Sequence, residues 1–135
     1  MKLKFAKPDK KPRQGMKRDS LDALFSLYIR SRDHWTCQRC WKQFTPPTKV
    51  LHNSHFYGRT MHSVRYDPTN CDALCYGCHK YWEKEDREGY RAFKIRQLGQ
   101  KGFDLLTLAA FKPGKPDLEI LKIVYKKLLG DLQTL

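Results

Sequence analysis

The chain has 135 residues, 40% of them hydrophobic, which suits one domain with a modest core. No apolar run approaches the roughly 20 residues needed to cross a bilayer, and the charged start "MKLKFAKPDKKPRQGMKRDS" lacks the apolar segment of a secretory signal. Its 27 Lys and Arg against 14 Asp and Glu give a net charge of +13, an imbalance that costs self-repulsion and points to a polyanionic partner.

Residues 1 to 19 hold eight Lys or Arg against two Asp, with two prolines and no apolar periodicity, and read as a flexible basic arm. Ser20 is suited to cap a helix whose Leu21, Leu24, Phe25, Tyr28 and Ile29 share one face, ending near "RSRD" at 30–33. "WTCQRCWKQF" reads as a tight cysteine turn. "KVLHNSHF" has the β-branched and aromatic content of a short strand, and "CDAL" reads as a second. The loop between them, "YGRTMHSVRYDPTN", is rich in Gly, Arg and turn formers. A charged helix is expected from Tyr81, interrupted around Gly89 and resumed by "YRAFKIRQL". A short apolar helix, "FDLLTLAAF", follows. After the break at "KPGKP", Asp117 caps a last helix with Leu118, Leu121, Val124, Tyr125, Leu128 and Leu132 as its stripe.

The cysteines carry the first chemical signal. "CYGCH" at 75–79 has the C-x-x-C-H form of a c-type haem attachment, of half a zinc site, or of a redox dithiol. A second C-x-x-C pair, Cys37 and Cys40, precedes it, with thirty-four residues between Cys40 and Cys75. Two such pairs are the usual way to surround one tetrahedral zinc, each short loop aiming two thiolates at the ion. The haem reading leaves Cys37 and Cys40 without a role and expects an export signal. The zinc reading uses all four, and a chain expected to stay in a reducing cytoplasm favours metal over disulfides. Such a closed site is structural, because it keeps no open position for water. Cys71 is left over and is expected to pack in the core.

With the cysteines assigned to structural Zn2+, the polar residues around them form a pattern. Asn70 lies nine residues before His79, and His55 fifteen before Asn70. His55, Asn70 and His79, wrapped by the cysteine pairs, resemble the HNH endonucleases, whose core is a ββα-metal finger with a zinc knuckle. "SHFYGR" and "HSVRYDPTNCDALCYGCHKYWE", introduced by "LDALFSLYIRSRDHWTCQRCWK", are closer still to the phage NinG/Rap group of recombination endonucleases. The resemblance spans roughly residues 20 to 110.

Phosphodiester hydrolysis needs a base to deprotonate water, and a histidine with a pKa near neutrality suits that task. It also needs a hard divalent ion on the phosphate and the leaving oxygen. The resemblance implies that His55 is the general base, that Asn70 braces the loop orienting it, and that His79 is a ligand of the catalytic ion, Mg2+ or Mn2+. Glu83, at i+4 from His79 on one helical face, is the expected second ligand. Many HNH enzymes place an acidic residue or a histidine directly before the base; this chain has Ser54 there. His52 falls on the opposite strand face from His55 by period-two counting and is left out of the site. His34 and His62 are assigned to exposed loops.

Arg59 and Arg65 flank the long loop and are expected to anchor DNA phosphates. DNA is favoured over a membrane surface because the basic residues do not lie opposite a bulky apolar helix face. No base-reading motif is present, so selectivity is expected for DNA shape such as branched recombination junctions, and symmetrical cutting of a junction favours a homodimer. The expected fold is α+β and mostly helical: an arm at 1–19, a zinc-knuckle ββα-metal core at 20–98, and helices at 99–135 that pack on it or pair two copies. The setting implied is the cytoplasm of a bacterial or phage-infected cell. The competing function is a zinc-finger DNA-binding protein without catalysis, which has no need of His55, Asn70 and His79.

Overall fold

The computed structural model describes residues 20–133, and the basic arm expected at 1–19 lies outside them. The order of elements is α1 (Ser20–Arg32), β1 (Leu51–His55), β2 (Cys71–Cys75), α2 (Tyr76–Lys84), α3 (Arg87–Ala110) and α4 (Leu118–Gln133). Two single 3-10 turns, His62–Val64 and Pro68–Asn70, shape the loop between the strands. The fold is α+β and mostly helical: a two-stranded antiparallel hairpin followed by a helix, with a four-cysteine cluster beside it.

The hairpin register pairs Leu51 with Cys75, His52 with Leu74, Ser54 with Asp72 and His55 with Cys71. α1 is pinned across it through its last turn. Arg32 donates to the carbonyls of Pro68 and Cys71, and the Asp33 carboxylate accepts from the Ala73 N–H at 2.8 Å. These bonds satisfy backbone groups of β2 and of the turn before it.

α2 starts at Tyr76 and not at Tyr81 as expected. Cys75 and Cys78 are three apart, a separation close to one helical turn, so the second cysteine pair fits the first turn of a helix as readily as a loop. The break after α2 falls at Glu85–Asp86, before Gly89. There the Asp86 side chain accepts from the Gly89 N–H at 2.9 Å and caps α3. A Cβ at residue 89 would lie 2.0 Å from the Asp86 carboxylate, so glycine is what permits the close approach. The two helices expected after Gly89 are both present within α3 and meet at Gly99, whose backbone, with φ of 74°, is not helical and favours glycine. Asp117 caps α4 as expected, accepting from the N–H groups of Glu119 and Ile120.

Three apolar clusters fill the molecule. Leu51, Phe56, Leu74, Trp82, Tyr90 and Phe103 lock the hairpin between α2 and α3, with Trp82 and Tyr90 stacked at 4.8 Å. Leu21, Phe25 and Ile29 of α1 meet Tyr125 of α4 and Cys71, which packs in the core as expected. Val64, Leu106 and Ala110 close the underside of the long loop. Among the described residues, no helix is long and apolar enough to cross a membrane.

Candidate metal centres and the histidine cleft

Cys37 and Cys40 sit on a tight knuckle after α1. Its backbone closes through the Cys37 N–H to the Lys42 carbonyl and the Trp41 N–H to the Cys37 carbonyl, both at 2.9 Å. The Gln38 N–H donates to the Ala73 carbonyl and lashes the knuckle to β2. Cys75 ends β2 and Cys78 lies in the first turn of α2. All four Sγ atoms fall within 4.8 Å of one another, and Cys40 and Cys75 are 3.8 Å apart. Zn–S bonds of about 2.3 Å in a tetrahedron place sulfurs about 3.8 Å apart, so donor set and spacing both fit Zn2+.

The four thiols are not equivalent. Burial opposes the Cys37 thiolate, but backbone N–H groups at Cys40, Cys75 and Arg39 outweigh it and bring its pKa down to about 7. Burial pushes Cys78 up to about 12, against an opposing bond from Arg39. Four thiolates this close cannot coexist without a cation, so ion binding and deprotonation go together. Arg39 donates to the Cys78 Sγ at 3.3 Å while lying over the Tyr81 ring.

On the other side of the β2–α2 junction, His52, His55, His79, Glu83 and Arg59 line an open cleft of about 1090 Å³, together with Arg30, Lys49 and Arg87. His55 is held through Nε2, 2.9 Å from the Arg65 carbonyl. A carbonyl only accepts, so Nε2 carries the proton and Nδ1 keeps its lone pair. Burial, partly offset by that bond, lowers the His55 pKa to about 4, so the ring is neutral at ordinary pH.

Asn70 is fully buried and spans the loop that carries Arg65. Its Oδ1 accepts from the Tyr57 N–H at 2.8 Å, and its Nδ2 donates to the carbonyls of Tyr57 and Val64. The amide therefore ties both ends of residues 57–70 together and fixes the carbonyl that holds His55.

His79 lies on α2 with Nδ1 3.1 Å from His52 Nδ1 and Nε2 3.6 Å from the Glu83 carboxylate. Burial lowers its pKa, against the pull of Glu83. His52, left out of the site by strand periodicity, is thus part of the cleft. It stands opposite Leu74, and because α2 begins immediately after β2 the helix folds back onto that face.

Arg65 departs from expectation. It is 6% exposed, with Nε 3.0 Å from Asp22 Oδ1 and a second contact from Nη2 to Oδ2, so its guanidinium serves α1 and not a phosphate. Arg59 remains half-buried at the cleft wall. His34 is exposed, and His62 is half-buried in its 3-10 turn.

Ser54, in the position before His55, is 1% exposed and shares a hydrogen bond of 3.0 Å with the Tyr90 hydroxyl. Behind it lies a buried network with no counterpart in the sequence reading. Lys94 and Asp72, both fully buried, pair at 3.0 Å, and Gln97 bridges them at 2.6 and 2.7 Å. Ser54 is therefore tied to the interior side of β1. No family model matches this chain, and neither a curated protein nor a solved structure matches it.

Proposed function

We propose that this chain is a metal-dependent DNA endonuclease of the HNH, or ββα-metal, type, with the NinG/Rap recombination endonucleases as its nearest pattern. The observation that carries the reading is the state of His55. Its Nε2–H is committed to a carbonyl, its Nδ1 lone pair remains available, and its neutral form is held by burial. That is the protonation state a base needs before it takes a proton from water, but a pKa of about 4 lies below the near-neutral value expected, so a divalent ion would have to acidify that water. Asn70, tying residues 57 to 70 together, keeps the imidazole in place.

A divalent ion held at His79 would act as Lewis acid and charge clamp on the phosphate. The chain's own residues do the rest. Arg30, Lys49, Arg59 and Arg87 border the cleft and give a polyanion positive walls on several sides. The four-cysteine site, read as structural Zn2+, holds the β2–α2 junction from which His79 projects.

The test is cleavage of linear, nicked, flap and four-way-junction DNA, with and without Mg2+ or Mn2+. Ion-dependent hydrolysis that favours branched forms is expected. Tight DNA binding with no cleavage of any form under any ion would replace this reading with a zinc-finger binding protein.

A further inference from the structure

We propose that His52 and His79 together form a two-imidazole seat for a divalent transition ion, with Glu83 orienting His79 from outside that seat. The catalytic use of the ion rests on the nuclease reading above; the seat itself rests on geometry. The two Nδ1 atoms face each other at 3.1 Å with their rings nearly perpendicular, at 84°. Two imidazole nitrogens bound to one ion at about 2.0–2.1 Å are separated by about 2.9–3.4 Å for ligand angles between octahedral and tetrahedral. The observed separation falls inside that span.

The third group supports the same arrangement. Glu83 approaches the other nitrogen of His79, Nε2, at 3.6 Å. The two ring nitrogens of an imidazole point in divergent directions, so an ion between the Nδ1 atoms is not shared with Glu83. A carboxylate at the far nitrogen of a liganding histidine fixes the tautomer and the ring plane. Glu83 is placed for that task.

Both histidines stand on ordered elements. His52 is in β1, opposite Leu74, and the Tyr76 ring packs edge-on against it at 5.8 Å. His79 follows directly on Cys78. The seat is therefore preorganised by the hairpin register and by the four-cysteine centre.

The chemistry of two imidazoles sets the ion. Imidazole nitrogens suit Zn2+, Ni2+ and Co2+ best; Mn2+ binds them at the weak end of that series, and Mg2+ prefers oxygen and keeps its waters. Of the two ions the resemblance implies, Mn2+ suits this seat better than Mg2+.

The experiment titrates the zinc-loaded, full-length protein with Mn2+, following free Mn2+ by electron paramagnetic resonance. Wild type should bind one Mn2+ in addition to the resident zinc, with Mg2+ at least about tenfold weaker. His52→Ala should weaken Mn2+ binding by about tenfold or more, and Glu83→Gln by less. Zinc content and thermal unfolding report whether each variant is folded. If His52→Ala does not fold, ring resonances of the wild-type histidines decide: substoichiometric Mn2+ should broaden His52 and His79 together. Unchanged Mn2+ affinity in folded His52→Ala would overturn the seat. So would a larger loss in Glu83→Gln than in His52→Ala, since that places the ion between His79 and Glu83. Mn2+ bound at the two histidines by a protein that cuts no DNA would uphold the seat and remove the nuclease reading.

Discussion

The two centres that meet at the β2–α2 junction are built on opposite plans. The four-cysteine cluster is closed: four sulfurs face one point and leave no position for another ligand. The histidine cleft is open, its groups gathered from α1, β1, the long loop and α2 around a space of about 1090 Å³. Cys78 and His79 are neighbours in the chain yet belong to different centres. One residue step along a helix, a rotation of about 100°, turns the side chain from the sulfur cluster into the histidine cleft. On the proposed reading the closed centre holds the fold, and the open one uses the rigidity that results.

The largest effect expected is loss of the closed centre. Zinc binding to sites of this kind contributes about 10–16 kcal/mol of apparent folding free energy, more than a small domain has to spare. Cys78→Ser or Cys37→Ser should lose the zinc and the cooperative unfolding transition together, measured by atomic absorption and circular dichroism. A zinc-free variant that still unfolds cooperatively would show that the two centres do not divide structure and function in this way.

The open centre should respond in the reverse sense, with activity lost and fold kept. His55→Ala should lower cleavage by about 10²–10⁴-fold, the range for a general base, with zinc content and DNA affinity nearly unchanged. Excess Mn2+ should partly rescue His79→Ala but not His55→Ala, because added ion does not restore a base.

The pH dependence follows from burial. The folded-state pKa of His55, about 4, lies below its ordinary value of about 6.5. Between these values the unfolded chain holds more protons on this residue than the folded one. Its neutral form therefore supports the fold fully above pH about 6.5, and that support falls away as the pH drops toward 4. Wild-type stability should decline over this window more steeply than that of His55→Ala, as measured by urea unfolding at a series of pH values. Parallel declines would mean that the imidazole is not desolvated.

The cysteine centre was readable because its information is local: two pairs at three-residue spacing need only a turn and a helix start. The apolar stripe of α1 and the Asp117 cap are local in the same way; the stripe of α4 was read only in part, since Tyr125 is buried with Leu121 and Leu128 beside it, but Leu118 and Val124 are exposed and Leu129 is buried instead. Asn70 and His55 were named through a resemblance, and the geometry then supplied what no spacing contains, a carbonyl on Nε2 and an amide spanning the loop. His52 was missed because strand alternation describes one strand and says nothing of the helix that folds back over it. Arg65 was placed at a phosphate because a cation in a polar loop looks solvated; only the packing of α1 brings Asp22 to it. Lys94 gave no sign of burial either, since its partner Asp72 lies on a strand twenty-two residues earlier.

That buried pair supplies the next effect in size. Lys94→Met leaves the Asp72 carboxylate without its cation in the interior, and removing one member of such a pair costs about 3–5 kcal/mol. Replacing both, as Asp72→Leu with Lys94→Met, should recover much of the loss, because no charge is then stranded. Chemical unfolding of the three variants measures this. Equal stability of the single and double variants would mean that the pair is hydrated and not part of the wall behind the cleft.

The smallest effect expected tests how closed the closed centre is. Arg39 touches the cluster from outside, donating to the Cys78 Sγ at 3.3 Å with its guanidinium over the Tyr81 ring. A donor to a liganding thiolate relieves part of its charge, and losing such a partner costs about 10–100-fold in metal affinity. Arg39 is largely exposed, so water can take over part of its role and the lower end applies. Arg39→Ala should release zinc to a competing chelator about tenfold more readily, with the fold intact and the histidine cleft unaffected. Arg39→Lys keeps the charge but gives up the planar contact with Tyr81, so it should fall between alanine and wild type. If Arg39→Ala also weakened Mn2+ binding at the histidines, the junction would transmit strain from one centre to the other, and Cys78 and His79 would act as one unit.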